Sequence, residues 1–562
     1  MTTPAEWYET HRELLDQAVR ATTARDYWSA YPESPSKSVY GEDAAPAGER
    51  AFTALLGKPF PIEVPGATGT ASTERSPYGL ELGVSYPKAD PHALVAAARA
   101  ATPAWRAAGP QGRAGVAAEI IKRINARSFE MAHAVQHTTG QAFVMAFQAG
   151  GPHAQDRALE AVAYALAAST RMPATAGWSK PQRGGDPLRL SKTSTVVGRG
   201  VGLVIGCNTF PTWNSYPGLF ASLVTGNPVI VKPHPGAVLP LAITVQICRE
   251  VLAESGQNPD LVTLAVEEHG DGIAATLATH PDVRIVDFTG SSEFGNWLEA
   301  NARQAVVYTE KSGLNTVIVD STDDYKGLLR NLSFSLSLYS GQMCTTPQNI
   351  LVPQAGIDTD AGHRSPEEFG ADLAGALDKL LGDPKRASGT LGAIVNDGVF
   401  ARLTEAGTLA DVIHPTAEVA DEQYPNATIR TPVVVRLDAS DEKVYTREWF
   451  GPVSFVITTE STEHGLRVFT ETVRAHGALT ASVYSTSPDV LAAAREAALD
   501  AGVHLSENLT GGVFVNQTAA FSDLHGSGAN PAATASLTDD YFVTGRFFTL
   551  QSRHHVPAPE AS

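Results

Sequence analysis

The chain has 562 residues, of which 43% are hydrophobic, so it can bury large cores and is long enough for two or three domains. Its 42 basic and 60 acidic residues give a net charge of -18, which repels phosphate backbones and anionic lipids and disfavours nucleic acid and membranes as partners. Three cysteines are too few for a disulfide framework, and no exported or membrane-anchored segment is predicted. We therefore expect a cytoplasmic protein.

The N-terminal part of the chain is predicted to be helical. Residues 1–75 combine a helical stretch around Leu14 with a segment rich in proline, glycine and serine, which predicts an N-terminal arm on the main body. Between residues 90 and 172, apolar residues recur at spacings of three and four, the pattern of amphipathic helices. Breaks in this helical layer are predicted at Pro103 and at Gly109-Pro110.

From residue 201 onward, short β-branched runs alternate with helical stretches, which indicates βαβ units and a parallel sheet covered on both faces. The predicted strands are 201–205, 229–231, 261–265, 283–288, 306–308 and 317–319. A second α/β block begins near Gly313, with a helix at 325–339 and strands at 350–352, 433–435 and 481–483. A dinucleotide is expected at the carboxyl edge of the first sheet.

The fold class predicted from these patterns is α/β, with a parallel-sheet cofactor domain, an α/β catalytic domain and an oligomerisation ribbon. After the arm, the predicted parts are a cofactor-binding domain at 76–312, a catalytic domain at 313–503, and a return to the first domain and tail at 504–562. Segments 188–197 and 547–555 alternate polar and apolar residues and predict a projecting ribbon at about 185–200, completed by the tail. Its unpaired edges predict a homodimer or higher homo-oligomer.

Cys344 is the first candidate for chemistry. A lone cysteine is more often a small buried hydrophobe, but Cys344 lies in Gly341-Gln342-Met343-Cys344-Thr345-Thr346, where small neighbours leave room for a substrate. A nearby helix N-terminus is expected to lower the pKa of its thiol and favour the nucleophilic thiolate. Cys207 and Cys248 lack this setting and are interpreted as structural.

Glu310 ends a predicted strand beside Lys311, and the simplest interpretation is an ion pair between these two neighbours. The alternative is that Glu310 serves Cys344 as a general base, with its pKa raised toward neutrality by partial burial. No metal site is predicted.

Three features are candidates for binding a cofactor at the edge of the first sheet. Gly290-Ser291-Ser292-Glu293-Phe294-Gly295 follows a strand and opens a helix, a geometry that suits a pyrophosphate but also occurs without a ligand. Lys232 ends a buried strand before Pro233, so it is either a surface lysine or a donor to ribose or phosphate. The Gly-x-Gly-x-x-Gly fingerprint of the standard dinucleotide fold is absent from the sequence.

In this order, the motifs resemble the aldehyde dehydrogenase superfamily over roughly residues 80–555. The resemblance is carried by Asn208 with Phe210-Pro211, Lys232-Pro233, Gly290–Gly295, Glu310, Gly341-Gln342-Met343-Cys344 and Glu448-Trp449-Phe450-Gly451-Pro452. The stretch from Thr309 to Asn315 departs from the usual Glu-Leu-Gly-Gly-Lys pattern and looks more like the phenylacetic acid degradation branch, the PaaN type.

The resemblance implies that the Cys344 thiolate attacks an aldehyde, that Asn208 and the Cys344 backbone N–H hold the oxyanion, and that Glu310 then hydrolyses the thioester. Asn208 stands one position earlier than the family places its asparagine, and Asn214 is the alternative. Glu448 and Phe450 are implied to contact the cofactor. The branch implies a coenzyme A-linked semialdehyde as substrate.

NADP is the predicted cofactor, with NAD also admitted. Family members that favour NAD carry a glutamate three residues after the lysine, where Pro235 stands here, and residues 232–236 contain no carboxylate. Lys232 and His234 are therefore expected to face a 2′-phosphate as donors.

Three other functions remain open on the sequence alone: a general aliphatic or aromatic aldehyde dehydrogenase, a ring-opening hydratase or hydrolase, and a catalytically silent protein of the same fold. A hydratase would need a further domain, for which the chain has no room after the tail. Cys344 and Glu310 together argue against a silent protein.

Overall fold

The computed structural model describes residues 1–557. Five parallel strands form one sheet, in the spatial order Val262–Leu264, Val229–Lys232, Val201–Ile205, Val283–Gly290 and Val306–Lys311. Every residue of Val201–Ile205 is buried, which explains its unbroken apolar sequence, since helices cover both faces of a parallel sheet. The predicted α/β class is confirmed.

A second sheet of seven strands runs in the order Val412–His414, Val433–Asp438, Val453–Thr459, Asn349–Pro353, Thr316–Val319, Thr480–Tyr484 and His504–Glu507. Only its first strand is antiparallel to its neighbour. The sequence pattern had not indicated Val412–His414, Val453–Thr459 or His504–Glu507. The last of these lies just beyond residue 503, the end proposed for the catalytic domain.

The helices fall into groups around these sheets. The predicted helical layer consists of Pro91–Ala107, Gly109–Ala126, Ser128–Thr139, Phe143–Gly150 and Pro152–Thr170. The elements between the strands of the five-stranded sheet are four helices and one 3-10 turn: Pro211–Val224, Leu239–Glu254, Ile273–Ala278, Ser292–Asn301 and the turn Pro259–Leu261. The helices in the part of the chain that forms the seven-stranded sheet are Tyr325–Ser337, the 3-10 turn Leu338–Gly341, Pro366–Leu381, Pro384–Thr390, Asp397–Ala406, Glu442–Tyr445, Thr462–His476 and Pro488–Ala501. A last short helix, Asp540–Thr544, precedes the tail strand.

The break predicted at Pro103 is wrong, because this proline lies inside helix Pro91–Ala107. Pro103 is exposed, so the carbonyl that its missing N–H leaves unbonded can be hydrated. The helix does end at Ala107, and the next one starts at Gly109, as predicted.

The predicted ribbon is present, with one strand more than expected. The tail strand Phe547–His555 pairs antiparallel with Gly185–Gly198, and His555 lies opposite Leu190. The additional strand, Thr175–Gln182, pairs on the other side of Gly185–Gly198. All its residues are exposed, so it lacked the apolar signal on which the prediction relied.

The N-terminal arm contains helices Pro4–Ala24, Lys37–Tyr40 and Ala44–Leu55, and it ends in strand Ala67–Ala71, which pairs with Tyr86–Ala89. A further pair of short strands, Ser321–Thr322 and Asp358–Thr359, lies at the second domain. Helix Pro4–Ala24 packs against the helical layer. No helix within residues 1–557 is both long and apolar enough to cross a bilayer.

Candidate active site

Cys344 lies in the turn between the 3-10 helix Leu338–Gly341 and strand Asn349–Pro353. Asn315 fixes this turn, because its side-chain amide donates to the carbonyl oxygens of Cys344 at 2.8 Å and of Thr346 at 3.1 Å. Gly341 adopts a φ of +62°, and a Cβ there would lie 2.6 Å from a backbone oxygen of the neighbouring segment. The turn that presents the thiol is therefore rigidly held.

Glu310 is 4% exposed at the end of strand Val306–Lys311. Successive side chains of a strand point to opposite faces, and Lys311 bonds Glu299 on the far face at 2.8 Å. The simple Glu310–Lys311 ion pair considered from the sequence is thus not formed. Instead, the Glu310 carboxylate accepts from Asn214 Nδ2 at 3.0 and 3.1 Å and lies 3.1 Å from His525 Nε2.

His525 is a candidate that sequence reasoning missed. Its Nε2 lies 4.0 Å from Cys344 Sγ, and one sulfur, oxygen or nitrogen atom each from Cys344, Glu310 and His525 lie within 4.8 Å of one another. His525 follows Cys344 by 181 residues and belongs to no motif that marks it. The only sequence signal was its position before Gly526 in a polar, glycine-containing loop.

The pKa directions of this cluster are opposite to those expected. Burial raises the pKa of Glu310, but His525, the Cys344 thiol and Asn214 together hold it below its usual value. Burial, and then the charge of Glu310, raise the pKa of the Cys344 thiol well above its usual range. Glu310 and His525 face the thiol, and the expected lowering of its pKa is wrong.

The structure separates the two candidate oxyanion donors. Asn208 donates through Nδ2 to the backbone carbonyl of Thr138 at 3.1 Å and does not line the cavity in front of Cys344. Asn214 lies in the first turn of helix Pro211–Val224 and does line that cavity. Asn208, the first choice from the sequence, is therefore not brought to the cavity in front of the thiol, because its side-chain amide is bonded to Thr138 instead.

A cavity of about 600 Å³ leads to Cys344. Its wall is rich in aromatic and apolar side chains, among them Trp28, Met145, Phe210, Trp213, Phe334, Leu338, Met343 and Phe514. The N-terminal arm contributes to this wall, held by Asp156, which accepts from Ser29 Oγ at 2.6 Å and from the Ala30 backbone N–H at 3.0 Å. Trp28 packs edge-on against Phe521, with ring centroids 4.7 Å apart.

A narrower cleft reaches Cys344 from another side and is lined by Ser312, Glu448 and Phe450. Glu448 Oε1 is buried and has no hydrogen-bond partner within residues 1–557, and burial raises the pKa of this carboxyl. A buried acceptor without a partner is costly, so it is suited to receive the hydroxyls of a bound ligand. Contact of Glu448 and Phe450 with a bound cofactor stays a prediction.

Lys232, at the carboxyl edge of the five-stranded sheet, pairs with the carboxylate of Glu267, and its burial lowers its pKa. Glu267 follows the neighbouring strand Val262–Leu264 and also accepts from the backbone N–H of Ile273 at 2.9 Å. The sequence window 232–236 contains no carboxylate, yet the fold supplies one beside Lys232. The missing carboxylate in this window therefore does not by itself support the expected NADP preference, which stays a prediction.

His234 is not a charged donor at neutral pH. Burial, followed by the charge of Lys232 and by His269, lowers the pKa of His234 to about 4. Its Nδ1 accepts from the backbone N–H of Gly236 at 3.0 Å. A neutral imidazole cannot supply the charge that a 2′-phosphate requires.

The Gly290–Gly295 loop has the expected geometry. Gly290 ends a strand, and Ser291 caps helix Ser292–Asn301 by accepting from Phe294 N at 3.3 Å. A Cβ on Gly295 would lie 2.6 Å from Lys311 Cδ, so glycine allows this helix to sit close to the sheet. Binding of a pyrophosphate at the helix N-terminus stays a prediction.

Comparison with known proteins identifies the family. The model of the aldehyde dehydrogenase family matches residues 83–540. The crystal structure of an NAD-dependent aldehyde dehydrogenase from Burkholderia multivorans is 55% identical, with a TM-score of 0.97, and the match covers 99% of this chain and 100% of that one. The chain therefore belongs to the aldehyde dehydrogenase family of oxidoreductases, and its predicted aldehyde dehydrogenase fold is confirmed.

More distant matches agree on the fold. A 1-pyrroline-5-carboxylate dehydrogenase from Thermus with bound NAD has a TM-score of 0.70 at 18% identity, over 94% of this chain and 99% of that one. The 1-pyrroline-5-carboxylate dehydrogenase of Bacillus subtilis is 24% identical over 475 residues, which are 80% of this chain and 85% of the relative. Two other curated relatives are matched over only part of their length: 53% of a putative aldehyde dehydrogenase from Caenorhabditis elegans and 59% of one from Staphylococcus haemolyticus, each at 26% identity.

Proposed function

We propose that this protein oxidises an aldehyde to a carboxylic acid with a nicotinamide cofactor, through a thioester on Cys344. The observation that carries the proposal is the cluster of half-buried Cys344 with buried Glu310 and His525, at the meeting point of a large apolar cavity and a narrow cleft. This arrangement admits an aldehyde from one side and a cofactor from the other.

The residues of the cluster divide the reaction between them. The Cys344 sulfur attacks the aldehyde carbon, and the amide of Asn214 with the Cys344 backbone N–H holds the developing oxyanion. A bound nicotinamide supplies the acceptor for the hydride that leaves this carbon. Glu310 then takes a proton from water, whose oxygen displaces the sulfur from the thioester. A carboxylate at this position favours an acid as product.

Asn214→Ala is predicted to lower kcat/KM about 10²-fold, because removal of one oxyanion donor typically has that effect. Asn208→Ala serves as the matched control and is expected to change kcat/KM by less than about threefold, since Asn208 bonds Thr138 instead. Steady-state kinetics of both variants test the assignment, and the reverse ranking would return the role to Asn208.

The cavity favours a neutral aliphatic or aromatic aldehyde as substrate. Its wall is largely apolar, and its charged members are acidic or histidine: Glu33, His153, Asp156, Asp523 and His525. None of the wall residues, all within the described part of the chain, is lysine or arginine. Coenzyme A carries several phosphates, which need cationic or backbone donors, so the lining does not support the coenzyme A-linked semialdehyde implied by the phenylacetate branch.

The substrate proposal is tested with purified protein, NAD or NADP, and a panel containing phenylacetaldehyde, hexanal, succinic semialdehyde and a thioester-linked semialdehyde. Growth of the reduced-cofactor absorbance is expected with the two neutral aldehydes and at least about tenfold lower kcat/KM with the charged ones. A preference for the thioester-linked compound would restore the coenzyme A-linked assignment, and no reaction with any aldehyde would contradict the proposed activity.

We infer that NAD is preferred over NADP. The Glu267 carboxylate lies beside Lys232 at the edge where the adenosine ribose is expected, so it can accept from ribose hydroxyls and repels a 2′-phosphate. This carboxylate replaces the one that the sequence window lacks.

Glu267→Gln is predicted to raise kcat/KM for NADP relative to NAD by about tenfold, because the repulsive charge is removed while Lys232 remains. The matched control is Glu268→Gln, the neighbouring exposed glutamate, which lies 3.7 Å from Lys88 and should leave the ratio unchanged. A wild-type protein that prefers NADP tenfold would contradict the role of Glu267.

Homo-oligomer formation and a cytoplasmic location remain part of the proposal. The ribbon exposes Trp178, Leu188, Phe548 and Leu550, apolar side chains that a partner subunit would cover. Light scattering at micromolar concentration is expected to give at least twice the chain mass of 59.3 kDa. A mass equal to that of one chain would contradict the prediction.

A further inference from the structure

His525 is the side chain that contacts both the nucleophile and the base of the proposed reaction. It is 5% exposed, and a single nitrogen, Nε2, lies 4.0 Å from Cys344 Sγ and 3.1 Å from Glu310 Oε1. The distance to sulfur is at the outer limit of a hydrogen bond, so a small approach of the thiol completes the contact. A proton on this nitrogen can therefore come from the sulfur and be held by the carboxylate.

The imidazole ring is oriented by its surroundings. Its Nδ1 lies 3.4 Å from Thr518 Oγ1, a hydroxyl that accepts from Arg157 Nη2 at 3.2 Å. The edge of Trp213 packs against the ring, with centroids 4.7 Å apart and planes at 74°. Because a hydroxyl can both donate and accept, Thr518 supports either tautomer of His525. Nε2 can take a proton only in the tautomer that carries its proton on Nδ1, where Thr518 Oγ1 accepts it, and the bond from Nε2 to Glu310 then forms once the proton has arrived.

We propose that His525 is a third catalytic residue, which takes the thiol proton of Cys344 through Nε2 and forms an imidazolium paired with Glu310. The assignment rests on the proposed aldehyde oxidation. In this step the S–H bond breaks as the sulfur attacks the aldehyde carbon, and the proton stays on His525. When the thioester is later hydrolysed, water gives one proton to Glu310, and the departing sulfur recovers its proton from His525. Glu310 then releases its proton to solvent, so the protons of both half-reactions balance.

The electrostatics of the cluster favour such a base. Burial and the charge of Glu310 hold the pKa of the Cys344 thiol far above its usual range, so an unassisted thiol would remain protonated at neutral pH. The titratable and charged groups around His525 are Glu310, Cys344 and, beyond the Thr518 hydroxyl, Arg157, which is itself paired with Glu160 at 2.7 Å. A proton on His525 places a positive charge between the thiolate and the carboxylate and stabilises both.

The direct test is the pH dependence of Cys344 alkylation by iodoacetamide, which needs neither aldehyde nor cofactor. Cys207 and Cys248 are buried, and the Cys344→Ser variant measures their residual reaction. A chelator is included, because cysteine, histidine and glutamate are also zinc ligands. The wild-type rate is expected to rise through an inflection well below the pKa of an ordinary thiol, about 8.5. A single inflection above about 9 would overturn the proposal.

His525→Gln places an amide near the position of Nε2, so it keeps a donor for Glu310 but cannot take a proton. We expect kcat/KM and the alkylation rate at pH 7 to fall about 10²-fold, the usual contribution of a general base, and the low inflection to disappear. Exogenous imidazole should restore part of the rate in His525→Ala, which has space for it beside the cavity. A residue that only shaped the loop would show neither the lost inflection nor the rescue.

The matched control is His504→Gln. His504 lies beside the same loop, with Nε2 3.0 Å from the carbonyl oxygen of Gly526. Its substitution is expected to leave the alkylation profile and kcat/KM unchanged. If His525→Gln keeps the wild-type alkylation profile, and its kcat/KM lies within about threefold of wild type, His525 is not a base. If the profile shifts but no aldehyde is oxidised by any variant, the base assignment stands and the proposed substrate reaction fails.

Discussion

Cys344→Ala is expected to lower aldehyde oxidation by at least about 10³-fold, because it removes the nucleophile on which the whole reaction depends. Cofactor binding should persist, since Cys344 only borders the narrow cleft, whereas Lys232, Glu267 and the Gly290–Gly295 loop lie at the sheet edge. The two properties are measured by steady-state kinetics and by titration of NAD against protein fluorescence.

Cys248→Ala is the matched control for this variant. Cys248 is fully buried in helix Leu239–Glu254, away from the cluster, and its loss should leave kcat nearly unchanged. Retention of more than a few per cent of wild-type activity by Cys344→Ala would contradict the assignment of the nucleophile.

Glu310→Gln is the second variant with a large expected effect. We expect a burst of reduced cofactor followed by turnover about 10²-fold slower than wild type, because acylation precedes the step in which Glu310 activates water. The amide oxygen of glutamine can still accept from His525, so the burst should survive. Rapid-mixing absorbance measurements resolve the two phases.

Glu299→Gln controls for charge loss near the same strand, because Glu299 bonds Lys311 and Thr309 on the opposite face from Glu310. Its burst and turnover are expected to match wild type. A uniformly slow reaction of Glu310→Gln without a burst would place Glu310 before hydride transfer.

The sequence predicted the buried strands of the five-stranded sheet well and the exposed strand of the ribbon poorly. Val201–Ile205 was predicted with its observed bounds, because a strand covered on both faces must be apolar throughout. Thr175–Gln182 escaped prediction because all its residues face solvent and carry no such pattern. Periodicity indicates which surfaces are buried, and it is silent where a strand is held only by its neighbours' hydrogen bonds.

The candidate site shows the same division. Cys344 and Glu310 were found because each stands in a motif, whereas His525 and Glu267 lie beside Cys344 and Lys232 only in the folded chain. Glu267 reaches Lys232 from an adjacent strand, and a search limited to the residues that follow Lys232 could not find it. The pKa directions of Cys344 and Glu310 also depended on which groups face each other across the cluster.

The covalent intermediate on Cys344 is the central claim of the proposed mechanism, and mass spectrometry of Glu310→Gln mixed with phenylacetaldehyde and NAD tests it most directly. Hydrolysis is slow in this variant, so quenching in acid after the burst should leave an acyl group on the enzyme. The mechanism predicts a mass increase of one phenylacetyl group, located on the peptide that contains Cys344 and absent without NAD. An unmodified Cys344 peptide after a full burst of reduced cofactor would contradict it.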